Sequence, residues 1–168
     1  MTSSLKIIGV IPAHLNSIRF KRKILHKIYD LPMIEHVRRR VIRSNLLEKV
    51  YVASGDKEII NTVISNGGEV LKTYKNHTNG TSRVAESIEE LDCTHIVIVQ
   101  GDEPVIQTDH IKNIVRSIEK NPEKDSWNST CDLNAETDLN KLNIVKAAIN
   151  EENRILYCFR KSPSYAEA

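Results

Sequence analysis

Short β-branched runs alternate with amphipathic helical segments between residues 5 and 121, and this order constrains the fold more than any other feature of the chain. Four runs have the composition of strands, at residues 5–11, 49–53, 69–72 and 95–100. The segments that follow them carry apolar residues at helical spacing. Strands that alternate with helices form a parallel sheet covered by helices on both faces. The sequence therefore predicts a three-layer α/β fold with a mostly parallel sheet.

The helical segments also predict which side chains are buried. In the helices at residues 32–45 and 56–66, the apolar stripes are Ile34, Val37, Val41 and Ile42, and Ile59, Ile60, Val63 and Ile64. The arginines of the first helix, Arg38 among them, are expected on its exposed face. Beyond residue 121 we expect a fifth strand at 127–133 and a hairpin made by 144–149 and 155–159. A length of 168 residues suits one domain over the whole chain.

Composition excludes several functional classes. The net charge of +2 and the low aromatic content argue against a nucleic-acid partner. Three widely separated cysteines fit neither a disulfide framework nor a zinc site, so we expect a reducing, cytoplasmic location. The start of the chain lacks a signal-peptide layout and no segment is long enough to span a bilayer, so no membrane insertion is expected.

Residues 96–104, IVIVQGDEP, join a continuous apolar run to a polar turn. The run is typical of a strand buried on both faces. In open α/β sheets, ligands bind beyond the carboxyl ends of the strands, where Gln100, Asp102 and Glu103 are expected. A carboxylate at this position can hold a divalent cation against a phosphate. A solvated acidic turn is the alternative interpretation.

A basic stretch follows the first strand, at residues 13–25. It contains Arg19, Lys21, Arg22 and Lys23, in a region where α/β folds often hold phosphates. No glycine-rich phosphate loop is present, so side-chain cations would supply most of the attraction. A solvated basic loop or a weak nucleic-acid patch remains the alternative.

A long polar loop precedes the third helical segment, at residues 73–82. Asn79, Gly80 and Thr81 can offer side-chain and backbone hydrogen bonds, and glycine permits a close approach. Arg83 lies in the first turn of the next helix, where a cation opposes the helix dipole. We therefore expect an anionic or polar partner for Arg83, whereas His77 is expected to be a loop residue and not a catalyst. Parallel strands would bring this loop, Ser54, the basic stretch and the acidic turn to one edge of the sheet.

Motifs along nearly the whole chain resemble the cytidylyltransferases that make CMP-linked acidic sugars, in particular the 3-deoxy-manno-octulosonate cytidylyltransferase (CMP-Kdo synthetase) family. The opening IIGVIPAHLNSIRFKRK and the segment LPMIEHV are similar to that family, as are GGEV with its following threonine and NHTNGTSRVAE. VQGDEP is reproduced at residues 99–104, and NIVK and LYCFR are similar to the later motifs. The resemblance implies a Rossmann-like nucleotidyltransferase fold.

The resemblance also implies a reaction, in which CMP passes from CTP to a 2-keto-3-deoxy sugar acid for lipopolysaccharide or surface polysaccharide synthesis. Asp102 would be the ligand of Mg²⁺, the implied cofactor. By matching position, the catalytic residues would be Lys23, Gln100 and Asp102. The nucleotide-binding residues would be Arg19, Lys23, Ser54, Asn79, Gly80, Thr81 and Arg83. Gln100 and Arg160 would contact the sugar acid.

The chain departs from the family pattern in the basic stretch and in length. His14 stands where the family has arginine, and Lys21 and Arg22 stand where it has proline and glycine. The family continues beyond residue 168 with a second metal-binding aspartate, much of the sugar-acid pocket and part of the contact of its implied homodimer. An active enzyme, completed by another chain or a homodimer, is therefore one hypothesis. A non-catalytic nucleotide-binding or interaction module is another, and activation of a different acidic or amino sugar is a third.

Overall fold

The computed structural model describes residues 5–17, 20–133 and 141–161. The chain divides into two compact units, Met1–Trp127 and Asn128–Ala168. The strands of the first unit are β1 (Ile7–Pro12), β2 (Lys27–Ile28), β3 (Leu31–Pro32), β4 (Val50–Ser54), β5 (Glu69–Lys72) and β6 (His95–Ile98). Its helices are α1 (Met33–Ile42), α2 (Lys57–Ser65), α3 (Gly80–Ser87) and α4 (Thr108–Lys120), and a 3-10 turn covers Lys23–Leu25. The prediction of a single domain is left untested by this division.

The first unit is built on a four-stranded sheet in the order β5-β4-β1-β6. Every neighbouring pair in it is parallel, and β1 is one of the two inner strands, with Val10 opposite Tyr51 of β4 and Ile98 of β6. All six residues of β1 are buried, because the strand has a neighbour on each side and helices on each face. The carboxyl ends of the four strands therefore meet at one edge, as the sequence predicted.

Alternate residues of β1 enter two separate apolar clusters. Ile7 and Ile11 pack with the apolar faces of α1, α2 and α4, whereas Ile8 and Val10 pack with Val84 of α3. The sheet thus has three helices on one face and one on the other, which confirms the three-layer α/β fold. This arrangement follows from the period of two in a strand and of 3.6 in a helix.

The predicted boundary between core and surface is wrong at three positions. Ile42 and Ile64 are 45% and 56% exposed, although both extend the apolar stripes of their helices. Arg38 is buried, because its guanidinium donates from Nε and Nη2 to the two carboxylate oxygens of Glu35 at 2.8 and 2.7 Å. Nη2 also donates to the Asn66 carbonyl at 2.9 Å. A buried carboxylate on the same helix, three residues earlier, therefore brings this arginine into the interior.

The second unit contains the predicted hairpin, formed by β7 (Lys146–Ile149) and β8 (Ile155–Phe159). The Lys146 ammonium is buried, and it donates to the carbonyls of Lys141 and Arg160, each at 2.6 Å. Residues 127–133 form no strand, so the predicted fifth strand is wrong. Across the described residues, no helix combines the length and apolar character needed to cross a membrane.

Candidate functional site

A cavity of about 140 Å³ opens at the carboxyl edge of the sheet. It is lined by residues from the end of β1, the basic stretch, the first turn of α3 and the turn after β6: Pro12, His14, Ser17, Lys23, Ile24, Gly80, Gln100, Gly101 and Asp102. Both apolar and polar groups line it, as is usual for a small-molecule site. The parallel topology brings these segments together, since each of them adjoins a strand end.

An ion pair crosses the cavity. The Lys23 ammonium lies 2.5 Å from Asp102 Oδ2, with the two side chains 27% and 43% exposed. Lys23 begins the 3-10 turn and Asp102 lies in the turn after β6. The contact therefore joins the basic stretch to the acidic turn, the two segments that sequence motifs assigned to phosphate and to metal.

Two glycines allow the walls of the cavity to approach each other. A Cβ on Gly80 would lie 3.0 Å from Pro12 Cγ and 3.4 Å from Gln100 Oε1. A Cβ on Gly101 would lie 2.9 Å from Ile24 Cδ1 and 3.1 Å from the Pro12 carbonyl. A larger residue at Gly80 would press on the Pro12 ring, and one at Gly101 would displace the Ile24 side chain or press on the Pro12 carbonyl.

The basic stretch is held by contacts with the segment after β4. The Leu15 amide donates to Asp56 Oδ2 at 2.9 Å, and the Arg22 guanidinium pairs with the Glu58 carboxylate. Arg22 has φ 60° and ψ 23°, in the left-handed region. This is the position where the resembling family has glycine. The backbone turn therefore forms with an arginine in a conformation that glycine adopts without steric cost.

The loop before α3 is anchored to that helix by polar contacts, of which the one made by Arg83 is buried. Asn79 is the N-cap of α3 and accepts from the Ser82 amide at 2.8 Å. Arg83 is buried and donates to Thr73 Oγ1 at 2.7 Å, so the polar partner expected for Arg83 is present.

Glu86 accepts from the Tyr74 amide at 3.0 Å and contacts His77 Nε2 at 2.5 Å. The hydrogen bond from the Tyr74 amide, assisted by His77, lowers the pKa of Glu86.

Four of the predicted site residues meet at the cavity: Lys23, Gly80, Gln100 and Asp102. Asn79 and Thr81 flank Gly80 in the chain, with Asn79 engaged in capping and Thr81 exposed. Arg160 belongs to the second unit, where its guanidinium donates to the Leu142 carbonyl at 2.8 Å. Arg19 lies outside the described residues.

Two further nucleotide-binding candidates have buried side chains. Ser54 is fully buried, and its Oγ accepts from the Asp56 amide at 3.2 Å. Arg83 is engaged with Thr73. Neither residue lines the cavity. The side chains of both therefore help to shape the loops around the site in this structure.

Sequence reasoning missed Ser17, His14 and Glu86. Ser17 and His14 line the cavity, although only Ser17 matches a residue of the family's opening motif. Glu86 falls inside the segment NHTNGTSRVAE, so its position in a motif was an available signal. Its contacts with the loop could not be read from spacing alone, because the loop has no regular period.

Among the described residues that line the cavity, Asp102 is the one that carries a carboxylate. Among the residues that the structure describes, no group of three or more His, Cys, Asp or Glu side chains is placed to hold a metal ion. Mg²⁺, however, is usually held by one or two carboxylates together with substrate phosphates and water. Asp102, partly exposed beside the cavity, fits that smaller role.

The family model for cytidylyltransferases matches residues 8–167. The 3-deoxy-manno-octulosonate cytidylyltransferase of Fusobacterium nucleatum subsp. nucleatum is 35% identical over 162 residues, which cover 96% of this chain and 66% of the relative. That of Geobacter sulfurreducens is 35% identical over 159 residues, covering 95% of this chain and 63% of the relative.

A solved structure of CMP:2-keto-3-deoxy-manno-octonic acid synthetase complexed with CTP superposes with a TM-score of 0.84 at 26% identity. The match covers 96% of this chain and 67% of that one. The chain spans slightly less than two thirds of the length of the two curated relatives, at 66% and 63%. The family model and the relatives agree with the motifs and with the fold, and the chain belongs to the cytidylyltransferase family.

Proposed function

We propose that this chain transfers CMP from CTP to a 2-keto-3-deoxy sugar acid resembling Kdo, for lipopolysaccharide or surface polysaccharide synthesis. The observation that carries the proposal is the convergence of Lys23, Gln100, Asp102 and Gly80 on one cavity at the carboxyl edge of the sheet. A cation, a carboxylate and an amide at a site open to a small molecule suit phosphate and metal chemistry. The relatives named as 3-deoxy-manno-octulosonate cytidylyltransferases support the substrate class.

In this proposal Lys23 exchanges its partner when the nucleotide binds. The ammonium leaves Asp102 and donates to the triphosphate, and the Asp102 carboxylate is then free to act as a metal ligand. When bound, Mg²⁺ neutralises charge on the phosphates and is held by Asp102. The loop at Asn79, Gly80 and Thr81 receives the cytidine, since Gly80 lines the cavity beside Gln100.

The proposal also includes Arg19, Ser54 and Arg83 as nucleotide-binding residues. Arg19 adds a second cation for the triphosphate, in the same basic stretch as Lys23. Ser54 and Arg83 support the loops, and their burial favours this indirect role.

The reaction is a displacement at the α-phosphorus. The anomeric hydroxyl oxygen of the sugar acid bonds to that phosphorus as its bond to the bridging oxygen breaks. Diphosphate leaves and the hydroxyl proton passes to solvent.

Gln100, whose Oε1 lies beside Gly80, is positioned in the turn where the transferred group is proposed to sit. Arg160 is proposed to pair with the sugar carboxylate, for which a guanidinium is the suitable bidentate partner. The proposal includes a cytoplasmic location and a homodimer.

Two measurements test the proposal in sequence. CTP with Mg²⁺ should raise the thermal unfolding midpoint more than ATP with Mg²⁺, because the nucleotide with the lower Kd stabilises the folded chain more at equal concentration. A ligand at about 100 times its Kd stabilises by about 2.7 kcal/mol. Diphosphate release is then assayed with CTP and a series of sugar acids, using Asp102→Asn as the variant. Equal shifts with both nucleotides would contradict cytidine recognition.

Nucleotide binding without transfer is the second candidate. It is favoured by the cavity lining, in which Asp102 is the only carboxylate among the described residues and is engaged with Lys23. A CTP-specific shift without diphosphate release from any sugar acid would support this candidate over the transferase.

A further inference from the structure

Glu86 is the anchor of the loop that leads into its own helix. Its Oε1 accepts from the Tyr74 amide at 3.0 Å, and both of its carboxylate oxygens lie 3.4 Å from the Lys75 amide nitrogen. Its Oε2 lies 2.5 Å from His77 Nε2. One carboxylate thus contacts three polar groups of the loop, from residues 74, 75 and 77.

The chemistry of this contact shows that Nε2 of the histidine ring is a hydrogen-bond donor. The lowered pKa of Glu86 keeps its carboxylate ionised at neutral pH, and an ionised carboxylate only accepts hydrogen bonds. His77 Nε2 therefore carries the proton that it donates to Oε2. The side chains of His77 and Glu86 are 7% and 11% exposed, so solvent competes little for the contact between them.

Arg83 and Glu86 lie one turn apart on α3 and hold successive parts of the loop. Arg83 holds Thr73, and Glu86 holds the segment from Tyr74 to His77. The loop ends at Asn79, the N-cap of α3, and Gly80 follows against Pro12 and Gln100 at the cavity. The wall of the cavity at Gly80 therefore depends on a loop that is tied down along most of its length.

We propose that Glu86 and His77 are positioning residues for the nucleotide, which fix the loop of residues 73–79 and thereby Asn79 and Gly80. Neither residue lines the cavity, so both act through the loop. A loop without this anchor must be ordered when the nucleotide binds, and the cost of ordering reduces affinity. This inference rests on the proposed nucleotide site. A role in stability alone would lower the unfolding midpoint and leave the affinity unchanged.

The test measures the Kd of CTP with Mg²⁺ by calorimetry on the full chain, well below the unfolding midpoint of each variant. Glu86→Ala should weaken binding about tenfold, since it removes the anchor of the whole loop. Glu86→Gln should recover most of that loss, because its amide oxygen still accepts from the Tyr74 amide. His77→Ala removes one of the contacts and should weaken binding about threefold. It also provides a result if Glu86→Ala does not fold.

Hydrogen exchange supplies a readout that is independent of the nucleotide. In Glu86→Ala the Tyr74 and Lys75 amides should exchange at least about tenfold faster, because each loses its acceptor. Asp92→Asn is the matched control, since Asp92 pairs with Lys6 at the opposite edge of the sheet. It should change neither the Kd nor the exchange of these amides.

The outcomes separate this inference from the function on which it rests. If the wild-type chain binds CTP and Glu86→Ala and His77→Ala bind it equally well, the positioning role is overturned and the proposed function stands. If the wild-type chain does not bind CTP, the proposed function is overturned and the positioning role with it.

Discussion

The two sides of the cavity are built in different ways. Asp102 lies in the turn after β6, and that turn is packed through Gly101 against Ile24, Ile34 and the Pro12 carbonyl. The basic stretch is packed at its two ends, where Ala13 and Ile24 are buried, and its middle has less support from packing. It is tied to the segment after β4 by the bonds of Leu15 to Asp56 and Arg22 to Glu58, and Arg22 adopts left-handed backbone angles. A packed wall keeps its shape through its neighbours, whereas the tethered wall depends mainly on the bond of Leu15 to Asp56, because an exposed ion pair contributes little.

Because of this difference, we expect the two sides to tolerate sequence change differently. The acidic turn retains VQGDEP, whereas the facing stretch has lysine and arginine where the resembling family has proline and glycine. The left-handed turn nevertheless forms at Arg22. The backbone of a tethered segment can keep its path after such substitutions if its contacts supply the lost conformational preference.

The largest expected effect comes from removing the ion pair between Lys23 and Asp102, which joins the two walls. Lys23→Met should weaken CTP binding by roughly 2–3 kcal/mol, about 30- to 150-fold, because a charge-assisted bond to phosphate is lost. The same change should strengthen Mg²⁺ binding in the absence of nucleotide, since Asp102 loses its competing cation. Calorimetric titrations with CTP and with Mg²⁺ alone measure the two effects.

Lys112→Met is the control for this variant, because Lys112 forms an exposed ion pair with Asp109 on α4. It should alter neither titration. Unchanged Mg²⁺ affinity in Lys23→Met would show that Lys23 does not compete for Asp102.

A second variant breaks the packed wall. Gly101→Val should destabilise the chain by about 2 kcal/mol, because its side chain meets Ile24, Ile34 and the Pro12 carbonyl. Gly101→Ala should cost less, since the Ile24 side chain can move aside. Urea unfolding gives both values, and a Gly101→Val variant as stable as the wild type would contradict tight packing on this side.

A third variant sharpens the description of the tethered wall. Arg22→Gly should stabilise the chain by about 1 kcal/mol, because glycine adopts φ 60° without steric cost. The exposed pair with Glu58 offsets little of this gain. Tyr29→Gly is the matched control, since Tyr29 has φ 55° and is 94% exposed in the β2–β3 turn. A gain in Tyr29→Gly but not in Arg22→Gly would show that the contacts of Arg22 outweigh its strain.

The smallest expected effect concerns Glu86, which anchors the loop before Gly80, a further part of the cavity wall. The folded-state pKa of Glu86 is lowered, so its carboxylate stabilises the fold above the ordinary pKa of 4.5. That contribution is lost as the pH falls through the lowered value. The difference in unfolding free energy between wild type and Glu86→Gln should therefore shrink from pH 7 to pH 3, as measured by urea unfolding. A constant difference would contradict the contribution of ionisation.

The sequence predicted the parts of the fold that depend on regular periodicity. The alternation of strands and helices predicted the parallel sheet, and the strand ends predicted which segments meet. The prediction that Ile42 and Ile64 are buried was wrong, because the apolar stripe of each helix is wider than its contact with the sheet. The residues at the edge of the stripe are therefore exposed. The prediction that Arg38 is exposed was wrong, because an arginine is buried only with a specific partner. A polar–apolar pattern does not identify that partner, Glu35.

Sequence likewise predicted some residues of the candidate site but not the contacts between its side chains. Lys23, Gly80, Gln100 and Asp102 were found because motifs and strand ends coincide there. The contact of Lys23 with Asp102 and the anchoring of the loop by Glu86 depend on side-chain positions across irregular segments, for which sequence has no period to follow.

The buried pair of Glu35 and Arg38 also has a consequence for how relatives diverge. A Cβ on Gly68 would lie 2.9 Å from Arg38 Nε and 2.5 Å from Val63 Cγ1, so a larger residue there would expel the guanidinium. Loss of Arg38 would in turn leave the fully buried Glu35 carboxylate without its main partner. Positions 35, 38 and 68 should therefore covary: homologues either keep all three residues or replace the acid, the base and the glycine together.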